Sequence, residues 1–257
     1  QDGDPFEYVF KRLRIRIFLP LLKYGFRHAD KVQAISNFLA KWARQMGYKS
    51  EVVVIPNGVD VKKFQPTTNN QQPHDNTILI TTSRLVEKNG VKNIINALKL
   101  LPDGVKLKIL GTGSLEKSLK LLASDLQLHH RVEFLGRVPH YDISKYLHEA
   151  NIFVRPSLSE GQGISFIEAM AAGLPVIATP VGGIPDFLKD RETGLFCEVD
   201  NPKSIAEKVM EYINNPELTS QIVKNAKEMV IKKYDWDLIA KEMKTRVFDP
   251  AMAGQVI

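Results

Sequence analysis

Cysteine is nearly absent: Cys197 stands alone among 257 residues, which excludes an intramolecular disulfide and suits a reducing compartment. No apolar run reaches the roughly 18–20 residues a helix needs to cross a bilayer. The opening stretch Gln1–Glu7 is polar and acidic, so no signal peptide is read there. Histidines are few, and His129, His130, His140 and His148 do not fall at metal-ligand spacing or beside other thiols, so no metal site is expected. A dinucleotide fingerprint is incomplete too. Gly111-Thr112-Gly113 is followed by Glu116 where the third glycine would fall, which favours a plain strand–turn–helix connection. The expectation left standing is a soluble cytoplasmic protein, and its apolar share of 44% is enough for a buried core.

The net charge of +6 is modest but unevenly spread. Lys11, Arg12, Arg14, Arg16, Lys23, Arg27 and Lys31 crowd the beginning, interleaved with Phe18, Leu19, Leu21, Leu22, Tyr24 and Phe26. Such a segment can rest on an anionic membrane surface or pack its apolar side within a domain. No nucleic-acid-binding motif accompanies the charge, so nucleic acid is not an expected partner.

Short β-branched runs alternate with helical patterns through most of the chain. Strands are read at Lys31–Ile35, Glu51–Ile55, Thr77–Thr82, Val105–Leu110, Val132–Leu135, Ile152–Val154 and Val176–Ala178. Helices are read at Asn37–Met46, around Val91–Leu98, and at Leu115–Leu126, Tyr141–His148 and Ser165–Ala172, with a helix-rich tail from Pro202. Gln65–Asn76 lacks periodicity and reads as a linker or surface loop. Strands alternating with helices predict an α/β fold, a Rossmann-like doubly wound parallel sheet that binds ligands beyond its strands' carboxyl ends.

Two stretches after strand ends carry candidate chemistry. Arg84 and Lys88 follow the strand ending at Thr82, and two cations in a strand-to-helix loop suit a diphosphate: Arg as a bidentate fork, Lys as a point charge. Glu160-Gly161-Gln162-Gly163-Ile164-Ser165 precedes a helix whose free N–H groups attract anions, while the glycines allow close backbone approach. Glu160 and Glu168 can accept hydrogen bonds from sugar hydroxyls. A local reading competes for Glu168, because Ser165-x-x-Glu168 fits a capping box.

Taken in order, these stretches resemble the retaining glycosyltransferases of the GT-B fold, family 4. The resemblance rests on Ser83-Arg84-Leu85, Lys88, Gly90, Phe134-Leu135-Gly136, Pro156-Ser157, Glu160-Gly161-x-Gly163, and Glu168-Ala169-Met170-Ala171-Ala172-Gly173-Leu174-Pro175-Val176 with Val181-Gly182-Gly183-Ile184-Pro185. It implies that Arg84 and Lys88 hold the donor diphosphate and stabilise it as it leaves. Glu168 would bind ribose hydroxyls and Glu160 a hydroxyl of the transferred sugar. Gly161, Gln162, Gly163, Ile164 and Ser165 would line sugar and phosphates, and Arg137 and Val138 the base. The donor would be a UDP- or GDP-linked sugar, with no other cofactor and no metal. The acceptor would be a carbohydrate or lipid-linked glycan, and the basic N-terminal segment points to peripheral contact with the cytoplasmic membrane face.

Asn89 stands where many relatives place a lysine directly before the glycine, and Gln162 where an aromatic residue is common. By the same resemblance, residues 1–64 are the end of an acceptor domain whose earlier part is missing. Residues 65–233 are the donor-binding domain, and 234–257 a crossover helix and tail. The full protein is then expected to be a hexosyltransferase-type enzyme, and this chain to bind donor with little or no transfer. Readings of other classes stay open. One is a non-catalytic nucleotide-sugar-binding module serving a partner chain. Another is a nicotinamide-dependent oxidoreductase, disfavoured by the absent third glycine. A third is a pyridoxal-phosphate phosphorylase relative, for which no lysine stands in the expected context.

Overall fold

The computed structural model describes residues 13–65 and 77–253. The expected loop Gln65–Asn76 therefore lies, from residue 66 on, outside the described residues, as do Lys11 and Arg12. The chain opens with helix α1 (Leu13–His28). Two short parallel strands follow, β1 (Gln33–Ala34) and β2 (Val53–Val54), linked by α2 (Asn37–Gln45). Ser36 caps α2, its Oγ accepting from the Leu39 N–H at 3.2 Å, and the chain leaves through Gly47. Ala34, Ala40, Ala43, Tyr48 and Val52 form a small core that Phe26 of α1 joins. Ile17, Phe18, Leu21 and Tyr24 of α1 remain exposed.

After α3 (Val61–Phe64), the rest of the chain builds one six-stranded parallel sheet. In chain order its strands are β3 (Ile78–Thr82), β4 (Lys106–Leu110), β5 (Val132–Gly136), β6 (Ile152–Arg155), β7 (Val176–Ala178) and β8 (Leu195–Phe196). In space they run β5-β4-β3-β6-β7-β8. The connecting helices are α4 (Val91–Leu98), α5 (Glu116–Asp125), α6 (Ile143–His148), α7 (Ile164–Ala171), α8 (Pro202–Asn214) and α9 (Pro216–Lys233).

Alternation along the strands explains why helices cover both faces. Leu79, Ile109, Val154 and Ile177 enter one core with Ile94 and Leu98 of α4 and Val209 of α8. Their neighbours Ile80, Leu110, Phe153 and Val176 enter the other with Phe166 and Met170 of α7 and Val230 of α9. Strands apolar on both faces suit a fully buried parallel sheet. The short β8, which the strand-by-strand reading above does not include, extends one edge by pairing with β7.

Past α9 the chain turns back. Val59 bridges the two residues flanking Asp235: its N–H donates to Tyr234 O at 2.8 Å, and its carbonyl accepts from Trp236 N–H at 3.0 Å. Helix α10 (Trp236–Met243) then packs Ile239 on Val53 and Ile55, and α11 (Asp249–Ala253) follows.

Candidate functional site

Strands β3 and β6 are neighbours in register, Leu79 beside Ile152, yet α4 and α7, the helices that follow them, lie in the cores on opposite faces. Connections that diverge this way open a crevice at the strands' carboxyl ends, the usual ligand position in such sheets. Both sequence-predicted loops begin there.

The first loop, residues 83–90, is pinned by fully buried Leu85. Its N–H donates to Thr112 O at 2.9 Å, and its carbonyl accepts from Leu115 N–H at 3.0 Å. The Gly111-Thr112-Gly113 turn thus supports the loop, in keeping with a simple connection. Anchoring of Leu85 leaves Arg84 exposed and Lys88 partly exposed. Asn89 is buried and donates from Nδ2 to Arg84 O at 2.6 Å. Lys88 O accepts from Leu158 N–H at 2.7 Å, fastening the first loop to the second.

The second loop is held at every turn. Glu160 Oε1 accepts from Gly161 N–H at 2.9 Å, and Oε2 accepts from Arg155 Nη2. Glu160 O accepts from Gly183 N–H at 3.1 Å. Neighbouring Gly182 has φ +57, and a Cβ there would stand 1.8 Å from Glu160 O, so only glycine permits this approach. Gln162 forms a two-point clamp 105 residues away: Asn57 N–H donates to its Oε1 at 2.8 Å, and its Nε2 donates to Asn57 O at 3.1 Å.

The capping-box reading of Ser165 and Glu168 is overturned. Helix α7 begins at Ile164 with Gly163 at its N-cap, so Glu168 falls in the second turn rather than the first. Ser165 Oγ instead accepts from Arg155 Nη1 at 2.6 Å. Glu168, buried on α7, is hydrogen-bonded through Oε1 to His140 Nε2 at 2.7 Å. His140 follows Arg137 and Val138 on the loop after β5, bringing that loop toward α7. Arg137 is exposed, and Val138 packs on the α7 core.

Arg155, the last residue of β6, is the one guanidinium buried beneath the crevice among the described residues. Burial, and next the nearby Arg84 charge, push its pKa down to about 10, while Glu168 pulls it up. It therefore stays cationic at neutral pH. Arg84, Glu160 and Glu168 all act on Arg155, one like charge and two opposite ones. Among the described residues, no group of three or more His, Cys, Asp or Glu is placed to hold a metal ion.

The family model for glycosyl transferases group 1 matches residues 63–229, and that for glycosyltransferase family 4 matches residues 3–63. The chain belongs to this family.

Among its relatives is an uncharacterized glycosyltransferase of Methanocaldococcus jannaschii, 33% identical over 83% of this chain and 53% of the relative. A GDP-mannose-dependent monoacylated alpha-(1-6)-phosphatidylinositol monomannoside mannosyltransferase of Corynebacterium glutamicum is 31% identical over 74% of this chain and 54% of its own length. The chain thus spans about half the length of these curated relatives. Sucrose-phosphate synthase from Thermosynechococcus elongatus superposes with a TM-score of 0.87 at 25% identity, covering 99% of this chain and 67% of that one. HepE of Anabaena, solved in complex with UDP, gives 0.84 at 24% identity, covering 96% and 70%. These likenesses show the GT-B glycosyltransferase fold.

Of the family-derived candidates, the structure gathers Glu160, Ser165 and Glu168 around Arg155, with Arg84 close by and Gly161 bonded to Glu160. Lys88 is joined to the group through its main chain. Arg137 and Val138 sit on a separate loop that reaches the site through His140. Sequence reasoning missed Arg155 and His140, and gave Gln162 no partner. A signal existed for Arg155: a charge ending the buried apolar strand Ile152-Phe153-Val154. Nothing local marks His140 or the partner of Gln162.

Proposed function

We propose that the chain binds a UDP- or GDP-linked sugar in the crevice between β3 and β6, as the donor-binding part of a retaining, metal-independent hexosyltransferase. The observation that carries this is the convergence of the Arg84–Lys88 loop and the Glu160–Ser165 loop at the switch point of the family's fold. The UDP complex of HepE and the GDP-mannose dependence in the Corynebacterium relative's name support a nucleotide-sugar donor.

Breaking the bond between the anomeric carbon and the phosphate oxygen leaves negative charge on the diphosphate, which Arg84 and Lys88 stabilise. The acceptor hydroxyl oxygen bonds to the anomeric carbon on the same face, and its proton passes to the departing phosphate oxygen. Glu168 takes the ribose hydroxyls, and His140 yields the carboxylate oxygen it occupies. Glu160 takes a sugar hydroxyl, and same-face attack by the acceptor needs no enzyme nucleophile. Main-chain groups from Gly161 to Ser165 line sugar and phosphates, and Arg137 and Val138 flank the base.

On this reading residues 1–64 end an acceptor domain, 65–233 form the donor domain, and 234–257 cross back. The acceptor is a carbohydrate or lipid-linked glycan. Helix α1, with Arg16, Lys23 and Arg27 beside its exposed apolar residues, rests on the cytoplasmic membrane face. No helix among the described residues is long and apolar enough to cross a membrane.

Calorimetric titration with UDP, GDP, ADP and NAD, repeated on Glu168→Ala and Arg84→Ala, tests the reading. Binding of one nucleoside diphosphate, weakened by both substitutions, is the expected result. Binding of NAD alone, or of nothing, overturns it.

A further inference from the structure

Arg155 enters none of the roles assigned above, yet it is the most constrained charge in the site. Its guanidinium leaves the end of β6 with the residue 9% exposed, and lies 5.0 Å from the Phe166 ring centre. Nη1 donates to Ser165 Oγ at 2.6 Å, while Nη2 donates to Glu160 Oε2 and lies 3.5 Å from Asn89 Oδ1. Asn89 in turn holds the carbonyl of Arg84 at 2.6 Å. One planar fork on a rigid strand therefore touches the diphosphate loop, the loop acid and the first turn of α7. Loops position side chains loosely unless a scaffold side chain fixes them, and a fixed cation also keeps a buried carboxylate ionised and oriented.

We infer that Arg155 is a positioning residue for sugar recognition: it fixes the Glu160 carboxylate, from below the site, in the orientation that meets the donor's sugar rather than its nucleotide. This rests on the donor-site reading proposed above. It adds that discrimination between a nucleotide and its sugar conjugate depends on a residue that touches neither. The geometry separates the two parts of the ligand. Glu160 takes a hydrogen bond from Arg155, whereas Glu168, the proposed ribose ligand, feels Arg155 only through its charge and is hydrogen-bonded to His140 on another loop. Removing the guanidinium should therefore cost the sugar contact more than the nucleotide contact.

The test titrates the 257-residue chain with UDP, UDP-glucose, GDP and GDP-mannose, using wild type, Arg155→Met, Arg155→Lys, Glu160→Gln and the Arg155→Met/Glu160→Gln double variant. Near-ultraviolet circular dichroism checks folding. The expected result is that Arg155→Met leaves the affinity for the nucleoside diphosphate within about twofold and loses roughly tenfold for its sugar conjugate. Glu160→Gln should lose a similar factor, the double variant no more than either single one, and Arg155→Lys only part. Should Arg155→Met not fold, the same comparison is made with Arg155→Lys and its double variant with Glu160→Gln. Equal weakening of nucleotide and conjugate, additive losses in the double variant, or no gain from the sugar in wild type overturns the inference while nucleotide binding keeps the donor-site reading alive. Wild type that binds none of the four ligands removes both.

Discussion

Replacing Gly182 with alanine tests the close approach that fixes the Glu160 loop, and a second glycine supplies the control. Gly173 has φ +83 with nothing within 4 Å of an added Cβ, so Gly173→Ala reads only the left-handed backbone, about 1 kcal/mol. Gly182 shares the conformation at φ +57, but its Cβ would stand 1.8 Å from the backbone oxygen of Glu160. Ordinary contact begins near 3.4 Å, so the loop must move by more than an ångström. That movement breaks the bond from Gly183 N–H to Glu160 O, worth about 1 kcal/mol, and loosens the charge-assisted bond from Arg155, worth about 2 kcal/mol. With the backbone strain, Gly182→Ala should destabilise the chain by about 3–4 kcal/mol. Urea unfolding followed by circular dichroism measures both variants, and calorimetry then compares their affinity for UDP-glucose and GDP-mannose. Gly182→Ala should lose sugar-nucleotide binding while Gly173→Ala keeps it. Losses within about 1 kcal/mol of each other, or undisturbed binding in Gly182→Ala, would refute the argument, because the two substitutions differ chiefly in that contact.

Other consequences are simpler to read. Gln162→Leu removes both clamp bonds, but exposed Asn57 regains water, so urea unfolding should show a loss of about 1–2 kcal/mol. Arg131, 4% exposed, donates to the carbonyls of Val105, Leu101 and Pro102, so Arg131→Met should cost about 2–4 kcal/mol by the same assay. Its other partner Asp103 is fully exposed, and Asp103→Asn should leave stability unchanged; a loss there would mean the ion pair matters more than the carbonyls. Burial pushes the Cys197 thiol up to about 12, so in the folded chain it should resist a thiol-specific reagent at pH 8 and react only as urea unfolds it. Rapid labelling without urea would contradict that burial.

The sequence by itself determined the layers and singled out the loops of the candidate site. Runs such as Ile78-Leu79-Ile80 and Ile152-Phe153-Val154 are apolar at every position, which only a sheet covered on both faces can bury. The loops that leave those runs carry Arg84, Lys88 and Glu160, whose proposed roles follow from the order of the motifs taken together. Short-range signals failed where a distant group made a better offer. The Ser165-x-x-Glu168 spacing satisfies a local cap, yet Arg155 takes the serine and His140 takes the glutamate. β8 spans Leu195–Phe196 only, too short for periodicity, and exists because β7 presents an edge to it. Gln162 finds Asn57 across 105 residues of chain, a pairing that only the folded path of residues 56–58 can bring about. Propensity and hydrophobic pattern act over a turn or a strand, so they set the elements; which buried polar group satisfies which other is settled only when packing has excluded water and left each donor its nearest acceptor.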